Sequence, residues 1–223
     1  MCGRFALHAA PAEIAERFGV APPEGLAPRY NIAPTQPVLA VRAGPDGREA
    51  AWLRWGLIPA WSAGPDRRYA MINARAETAA ARPAFRNALR LRRCLVPASG
   101  FYEWRRAGGR RQPWYVRARD GRPLGLAGLW ERWRDPAGGL VDSVAVLTVP
   151  ANRLVARIHE RMPVIVPPDA YARWLDPDLR DPALVADLLV PAPEEALEAW
   201  PVAGRVNRAD VDEPALIEPL HRR

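Results

Sequence analysis

The segment RCLVPASGFYEWRRAGGRRQPWYVRARDGRPLGLAGLW, residues 93–130, decides the fold. It holds four runs of strand length: Arg93–Pro97, Phe101–Ala107, Trp114–Arg119 and Pro123–Trp130. Turn chemistry at Gly108-Gly109 and Asp120-Gly121 separates them. Runs this short and this close pair antiparallel, because a parallel neighbour needs a crossover of about a dozen residues.

Toward the N-terminus, Val38–Ala43 and Glu49–Trp55 flank Gly44-Pro45-Asp46-Gly47, which predicts a hairpin. Pro11–Phe18 predicts a short helix opened by proline and closed by Gly19, and Arg82–Leu91 predicts a second. Toward the C-terminus the pattern predicts a strand over Val141–Val149, a helical turn over Asn152–Ile158 and a strand over Met162–Val166. Helices are expected over Pro168–Leu175 and Asp181–Leu189, and an edge strand over Ala199–Val206. No repeat or low-complexity linker divides the chain. The expectation is α+β: a single domain over residues 1–223, with a mostly antiparallel sheet, an open barrel-like core and several short helices. The 25 prolines favour rigid loops.

Composition narrows the function classes. The chain has 223 residues, 49% hydrophobic and 26% charged, the profile of a soluble globular protein. No apolar run approaches the ~20 residues of a membrane helix. Met1-Cys2-Gly3-Arg4-Phe5 lacks the apolar stretch of a secretory signal, which predicts a cytoplasmic protein. Two cysteines and three scattered histidines (His8, His159, His221) argue against a disulfide scaffold and against a bound metal.

All 32 basic side chains are arginine. Without lysine, an imine-forming amine can come only from the chain terminus. The arginines also cluster: residues 67–122 hold 15 of them against only Glu77, Glu103 and Asp120. Such a surplus suits a polyanion. Tryptophans 52, 55, 61, 104, 114, 130 and 133 lie in or near the same stretch. Most suit a core, but one or two suit stacking of unpaired bases, Trp104 first among them.

Cys2 is the most informative residue. Initiator methionine is normally removed before a small second residue, which leaves an amine and a thiol on one exposed terminal residue. Both groups titrate within about two units of neutrality. Such a 1,2-aminothiol condenses with an aldehyde to an imine and then closes to a thiazolidine; alternatively its amine acts as base for its thiol. Glu103, in the aromatic strand Phe101-Tyr102-Glu103-Trp104, shares a face with Phe101, opposite Tyr102 and Trp104. It is either a solvated strand residue or a proton-transfer group of raised pKa. His159, at a helix-to-strand junction, suits proton transfer near neutrality, or a structural role. Asn73 and Asn31 are either turn residues or amides that orient a reacting atom. Cys94 reads as a buried core residue.

Together these residues sit in ordered motifs: MCGRF at 1–5, RYNIAPTQ at 29–36, WGLIPAW at 55–61, INARAET at 72–78, SGFYEW at 99–104 and HERMPVIV at 159–166. The set resembles the SRAP family, the SOS-response-associated peptidases, also known as abasic-site processing proteins. The resemblance implies that Cys2 forms a thiazolidine with the ring-opened sugar of an abasic site in single-stranded DNA, with Asn73, Glu103 and His159 completing the active site. It further implies DNA contacts at Arg4, Asn31, Arg75, Trp104 and Trp61, a monomer needing no cofactor, association with the bacterial nucleoid when DNA-bound, and peptidase activity at the protein's own N-terminus. Ser62 departs from relatives that carry a second tryptophan after Trp61, and Arg82 stands out of step with a further phosphate-binding arginine. Two other readings stay open. Class II glutamine amidotransferases also begin Met-Cys-Gly, and a noncatalytic single-strand binding module would carry the same basic surface.

Overall fold

The computed structural model describes residues 2–65 and 70–220. Met1, Arg67, Arg68 and His221 lie outside the described residues, and with them the expected loss of Met1.

The first part of the chain forms β1 (Phe5–Leu7), α1 (Pro11–Phe18), β2 (Arg29–Ile32), β3 (Pro37–Gly44), β4 (Gly47–Trp55), β5 (Asn73–Arg75), α2 (Ala76–Ala79) and α3 (Arg86–Leu91). The strand-rich middle forms β6 (Arg93–Ala98), β7 (Gly100–Ala107), β8 (Arg110–Ala118), β9 (Leu124–Arg134) and β10 (Leu140–Pro150). Then come α4 (Arg153–Ala156), β11 (Arg161–Pro163), β12 (Ile165–Val166), α5 (Tyr171–Leu175) and β13 (Leu197–Pro201).

Five strands close into a barrel. β4 pairs with β3, β3 with β6, β6 with β9, β9 with β10, and β10 returns to β4. Closure removes the exposed edges that an open sheet would present. β5 and β11 add to β10, and β12 adds to β9. Among the described pairings, only those of β10 with β4 and β5 are parallel. A second, wholly antiparallel sheet has the order β13-β8-β7-β1-β2. The α+β class is therefore observed, with mostly antiparallel strands and short helices.

Val38, Leu53, Trp55, Leu95, Leu126 and Val144 are among the buried side chains of the main core. Each contributes about 1.5–3 kcal/mol by leaving water. A smaller cluster of Ala6, Tyr102, Tyr115, Val206 and Leu216 covers the other face of the second sheet. β7 thus has apolar neighbours on both faces: Phe101 belongs to the main core and Tyr102 to the small cluster.

Several expected elements take a different form. Helix α3 begins at Arg86 rather than Arg82, because Phe85 stands at φ −120°, off helical geometry, and residues 82–85 form a turn. The strand expected over Met162–Val166 divides. Val164 donates to Leu147 O and accepts from Ala127 N, so the chain crosses from β10 to β9 at that residue. Asp181–Leu189 is a 3-10 helix, Pro182–Leu188, capped by Asp181 as its position suggests. The edge strand is β13, after which Gly204–Asn207 forms a 3-10 turn. Pro168–Ala170 is likewise 3-10, leading into α5.

The basic stretch is partly structural. The Arg93 guanidinium is buried and donates to the carbonyls of Trp174, Leu89, Leu179 and Asp176, clamping α5 to β6. Arg92 pairs with Glu131, Arg117 with Glu198 and Arg122 with Glu16. Part of the surplus thus ties elements together.

Gly100 begins β7 where no side chain fits. A Cβ there would stand 2.4 Å from Tyr115 Cζ and 2.6 Å from the Val116 carbonyl oxygen. Gly100→Ala is therefore expected to destabilise the protein by on the order of 3 kcal/mol, measured as a drop in denaturant midpoint at unchanged slope.

Candidate functional site

β1 lies between β2 and β7, with Phe5 opposite Phe101 and Ala6 opposite Gly100. The pairing continues toward the terminus, since Arg4 O accepts the Tyr102 N–H at 2.9 Å. Cys2 is thereby delivered to the part of β7 that carries Glu103. From the other side, Asn73 Nδ2 donates to the Cys2 carbonyl oxygen at 2.8 Å. Asn73 opens β5, where it stands opposite Val146 of β10. The two sheets meet at Cys2.

Cys2 is fully buried, which corrects the expectation of an exposed terminal residue. The strand it leads into, β1, is interior to the second sheet, and its side chain belongs to the main core. Burial pushes the Cys2 thiol well above the ordinary thiol range, and the Glu103 charge pushes it further the same way. The thiol is protonated at neutral pH.

Glu103 takes the Phe101 side of β7 and is buried, so the solvated-strand reading is set aside. Burial raises its carboxyl to about 7. A group at that value gives and takes a proton with little cost near neutrality. Asn73 Oδ1 is also buried, and among the described residues no donor reaches it.

His159 follows α4. The backbone N–H of Arg161 donates to its Nδ1 at 3.0 Å. Burial lowers its pKa, and the charge of Arg106 on β7 acts in the same direction. The imidazole is therefore held neutral. Arg161 secures this corner: its guanidinium grips both carboxylate oxygens of Glu77 at 2.6 and 2.9 Å and donates to Thr148 O at 2.6 Å. Thr148 stands opposite Arg75 at the end of β5, so the same contacts tie the His159 corner to the strand of Asn73.

The expected DNA contacts divide. Trp61 is 71% exposed on a turn, and Arg75 is exposed at the end of β5. Trp104 is half-buried, its Nε1 donating to Asn207 Oδ1 at 2.7 Å. Arg4 is half-buried, its Nη1 donating to Asn31 Oδ1 at 2.8 Å and to Val206 O at 2.7 Å. Asn31 itself is buried, and its Nδ2 donates to Arg208 O and Val211 O. The expectation of a DNA contact at Asn31 is corrected, since its amide is engaged inside the protein.

Sequence reasoning missed Arg161, Glu77 and Thr148. Arg161 and Glu77 do lie within the HERMPVIV and INARAET motifs, next to residues that were noticed. It also missed Asn207, for which no local signal exists; Trp52, one of the tryptophans of the basic stretch, is 43% exposed on β4. A cavity of about 640 Å³ opens elsewhere, among Leu124, Tyr171, Leu188 and Leu197, and none of the four chemical residues lines it. Among the described residues, no helix is long and apolar enough to cross a membrane.

The profile of the SOS response associated peptidase (SRAP) family matches residues 1–209. Abasic site processing protein YoqW of Bacillus subtilis is 38% identical over 222 residues, covering 98% of this chain and 99% of its own. Abasic site processing protein YedK of Escherichia coli is 30% identical over 235 residues, covering 99% of this chain and 100% of its own. A crystal structure of a protein from Bacteroides thetaiotaomicron superposes with a TM-score of 0.88 at 25% identity, covering 99% of this chain and 100% of that one. A structure from Bordetella bronchiseptica gives 0.81 at 31% identity, covering 91% and 100%. The amidotransferase alternative gives way to this match, and the chain belongs to the SRAP family.

Proposed function

We propose that the protein captures abasic sites in single-stranded DNA by closing a thiazolidine between Cys2 and the aldehyde of the ring-opened sugar. The observation that carries this reading is Cys2 held by its carbonyl against Asn73 with Glu103 as its charged neighbour.

The sequence of events follows from the electrostatics. Hydrolysis of the Met1–Cys2 peptide bond consumes one water and frees the Cys2 amine; Glu103 serves this self-processing as the proton-transfer group. The amine then adds to the sugar aldehyde, and the resulting carbinolamine loses water to give a protonated imine, with the Glu103 carboxyl supplying the proton and neutral His159 donating a hydrogen bond to the departing oxygen. The buried thiol is protonated, so it follows the amine rather than preceding it. Sulfur bonds to the carbon of the protonated imine, the thiol proton returns to the Glu103 carboxylate, and the iminium nitrogen, which already carries its hydrogen, becomes the ring N–H. Aminothiol and aldehyde thus give thiazolidine and one water, with no change of oxidation state. Ring closure removes the imine from which β-elimination would cut the strand. The unmatched Asn73 Oδ1 suits a donor on the sugar or on the new nitrogen. Arg4 and Arg75 take phosphates, and Trp61 and Trp104 offer ring faces to unpaired bases. The protein acts as a monomer in the cytoplasm, on DNA of the nucleoid.

Cys2→Ala is expected to retain noncovalent binding to an abasic oligonucleotide and to lose the adduct that survives denaturing electrophoresis. An adduct of undiminished yield in that variant would place the nucleophile elsewhere. A denaturation-resistant adduct with the wild-type protein separates this reading from a plain single-strand binding module.

Glu103→Gln is expected to slow adduct formation by about a hundredfold and to abolish the rise in rate as pH passes through 7. The same variant gains stability at high pH. The folded carboxyl titrates near 7 against 4.5 ordinarily, so the folded state alone keeps its proton between those values, and native stability falls as pH rises through that window. Removing the carboxylate should relieve on the order of 3 kcal/mol at pH 8 and nothing below pH ~4.5, read as a pH-dependent difference in Tm. Arg75→Gln is expected to reduce the slope of log affinity against log salt by about 0.7, the value for one lost phosphate contact on a single strand.

A further inference from the structure

We infer that the C-terminal turn Gly204–Asn207, with residues 208–211 behind it, is a strap that positions Arg4 and Trp104 for DNA, and that Asn207 is the positioning residue for Trp104. The inference rests on the DNA-binding reading given above.

Three sets of contacts carry it. Val206 O accepts from Arg4 Nη1 at 2.7 Å. Asn207 Oδ1 accepts from Trp104 Nε1 at 2.7 Å. Asn31 links the two sides, accepting from Arg4 through Oδ1 and donating through Nδ2 to Arg208 O at 2.8 Å and Val211 O at 2.6 Å. Val206 is fully buried beside Tyr102 and Tyr115, which fixes the turn to the sheet that carries Trp104.

The chemistry of the partners is informative. Arg4 and Trp104 are met by carbonyl and amide oxygens, which orient a donor without neutralising a charge. A carboxylate in either place would compete with phosphate. Acids lie within and just after the strap, but they are turned to other partners: Asp210 pairs with Arg208, Asp212 with Arg29, and Glu213 with Arg205. Among the described residues no carboxylate pairs with Arg4, and its buried Nε meets no acceptor. A guanidinium oriented in this way, with its charge uncancelled, suits a phosphate. Tying the N–H edge of Trp104 in turn sets the angle of its ring face, the part that stacks on a base.

Asn207 is exposed, so its replacement leaves the core intact. The test is a double-mutant cycle of Asn207→Leu and Trp104→Phe, reading noncovalent affinity for an intact single-stranded oligonucleotide and the adduct rate with saturating abasic oligonucleotide. Asn207→Leu should weaken affinity about fivefold, leave the saturated adduct rate unchanged, and add nothing once Trp104 is phenylalanine. It should also move the indole N–H resonance of Trp104, assigned by its loss in Trp104→Phe. Independent, additive effects of the two substitutions, or an unmoved resonance, would overturn the inference. Wild-type protein that binds the intact strand but forms no adduct would overturn the proposed chemistry while leaving the cycle readable.

Discussion

The structure depends on the antiparallel pairing of β1 with β7. Three residues of strand and one further hydrogen bond, Arg4 O to Tyr102 N, fix the direction in which the N-terminus runs. Without that pairing Cys2 would belong to a fraying chain end. With it, Cys2 enters the seam between the barrel and the second sheet, and Asn73 of the barrel side completes the grip. Gly100 is the steric condition for the arrangement, since the start of β7 passes too close to Tyr115 and Val116 for a side chain.

Burial sets the electrostatics of the seam. A thiol withdrawn from water beside a carboxylate keeps its proton, and a carboxyl withdrawn from water rises to about 7. The first effect argues against a standing thiolate and the second supplies a base that works at neutral pH. In the proposed reaction, enclosure therefore sets the order: an amine that condenses first and a sulfur that closes afterwards. His159, kept neutral by burial and held in place by Arg161 with its Glu77 ion pair, complements Glu103 in the proposed reaction as a hydrogen-bond donor. The cost of burying these groups is carried by the closed barrel and its continuous apolar core.

Much of this was legible in the sequence where pattern and chemistry coincide. The hairpin at Gly44–Gly47, the Pro11–Phe18 helix and the strands from Arg93 to Trp130 follow local turn and cap signals, and all are present. Strand alternation alone places Glu103 on the Phe101 face. β1, β2 and β5 were not legible, because at three or four residues each they are strands only by virtue of their partners. The same limit applies to Cys2, whose burial comes from β7 and β5 rather than from its neighbours in the chain. Arginine clustering was read too uniformly: Arg93 clamps backbone carbonyls, while Arg75 stands exposed. Asn31 looked like a contact residue and is instead the hinge-pin between Arg4 and the C-terminal turn, a long-range relation no local pattern records.

The proposed chemistry requires one free aminothiol at the terminus of the mature chain. Intact-mass spectrometry of the protein, before and after incubation with an abasic single-stranded oligonucleotide, measures it directly. The expected result is a chain lacking Met1 that gains the mass of the oligonucleotide less one water. A chain that retains Met1 and still captures the oligonucleotide in full yield would contradict it.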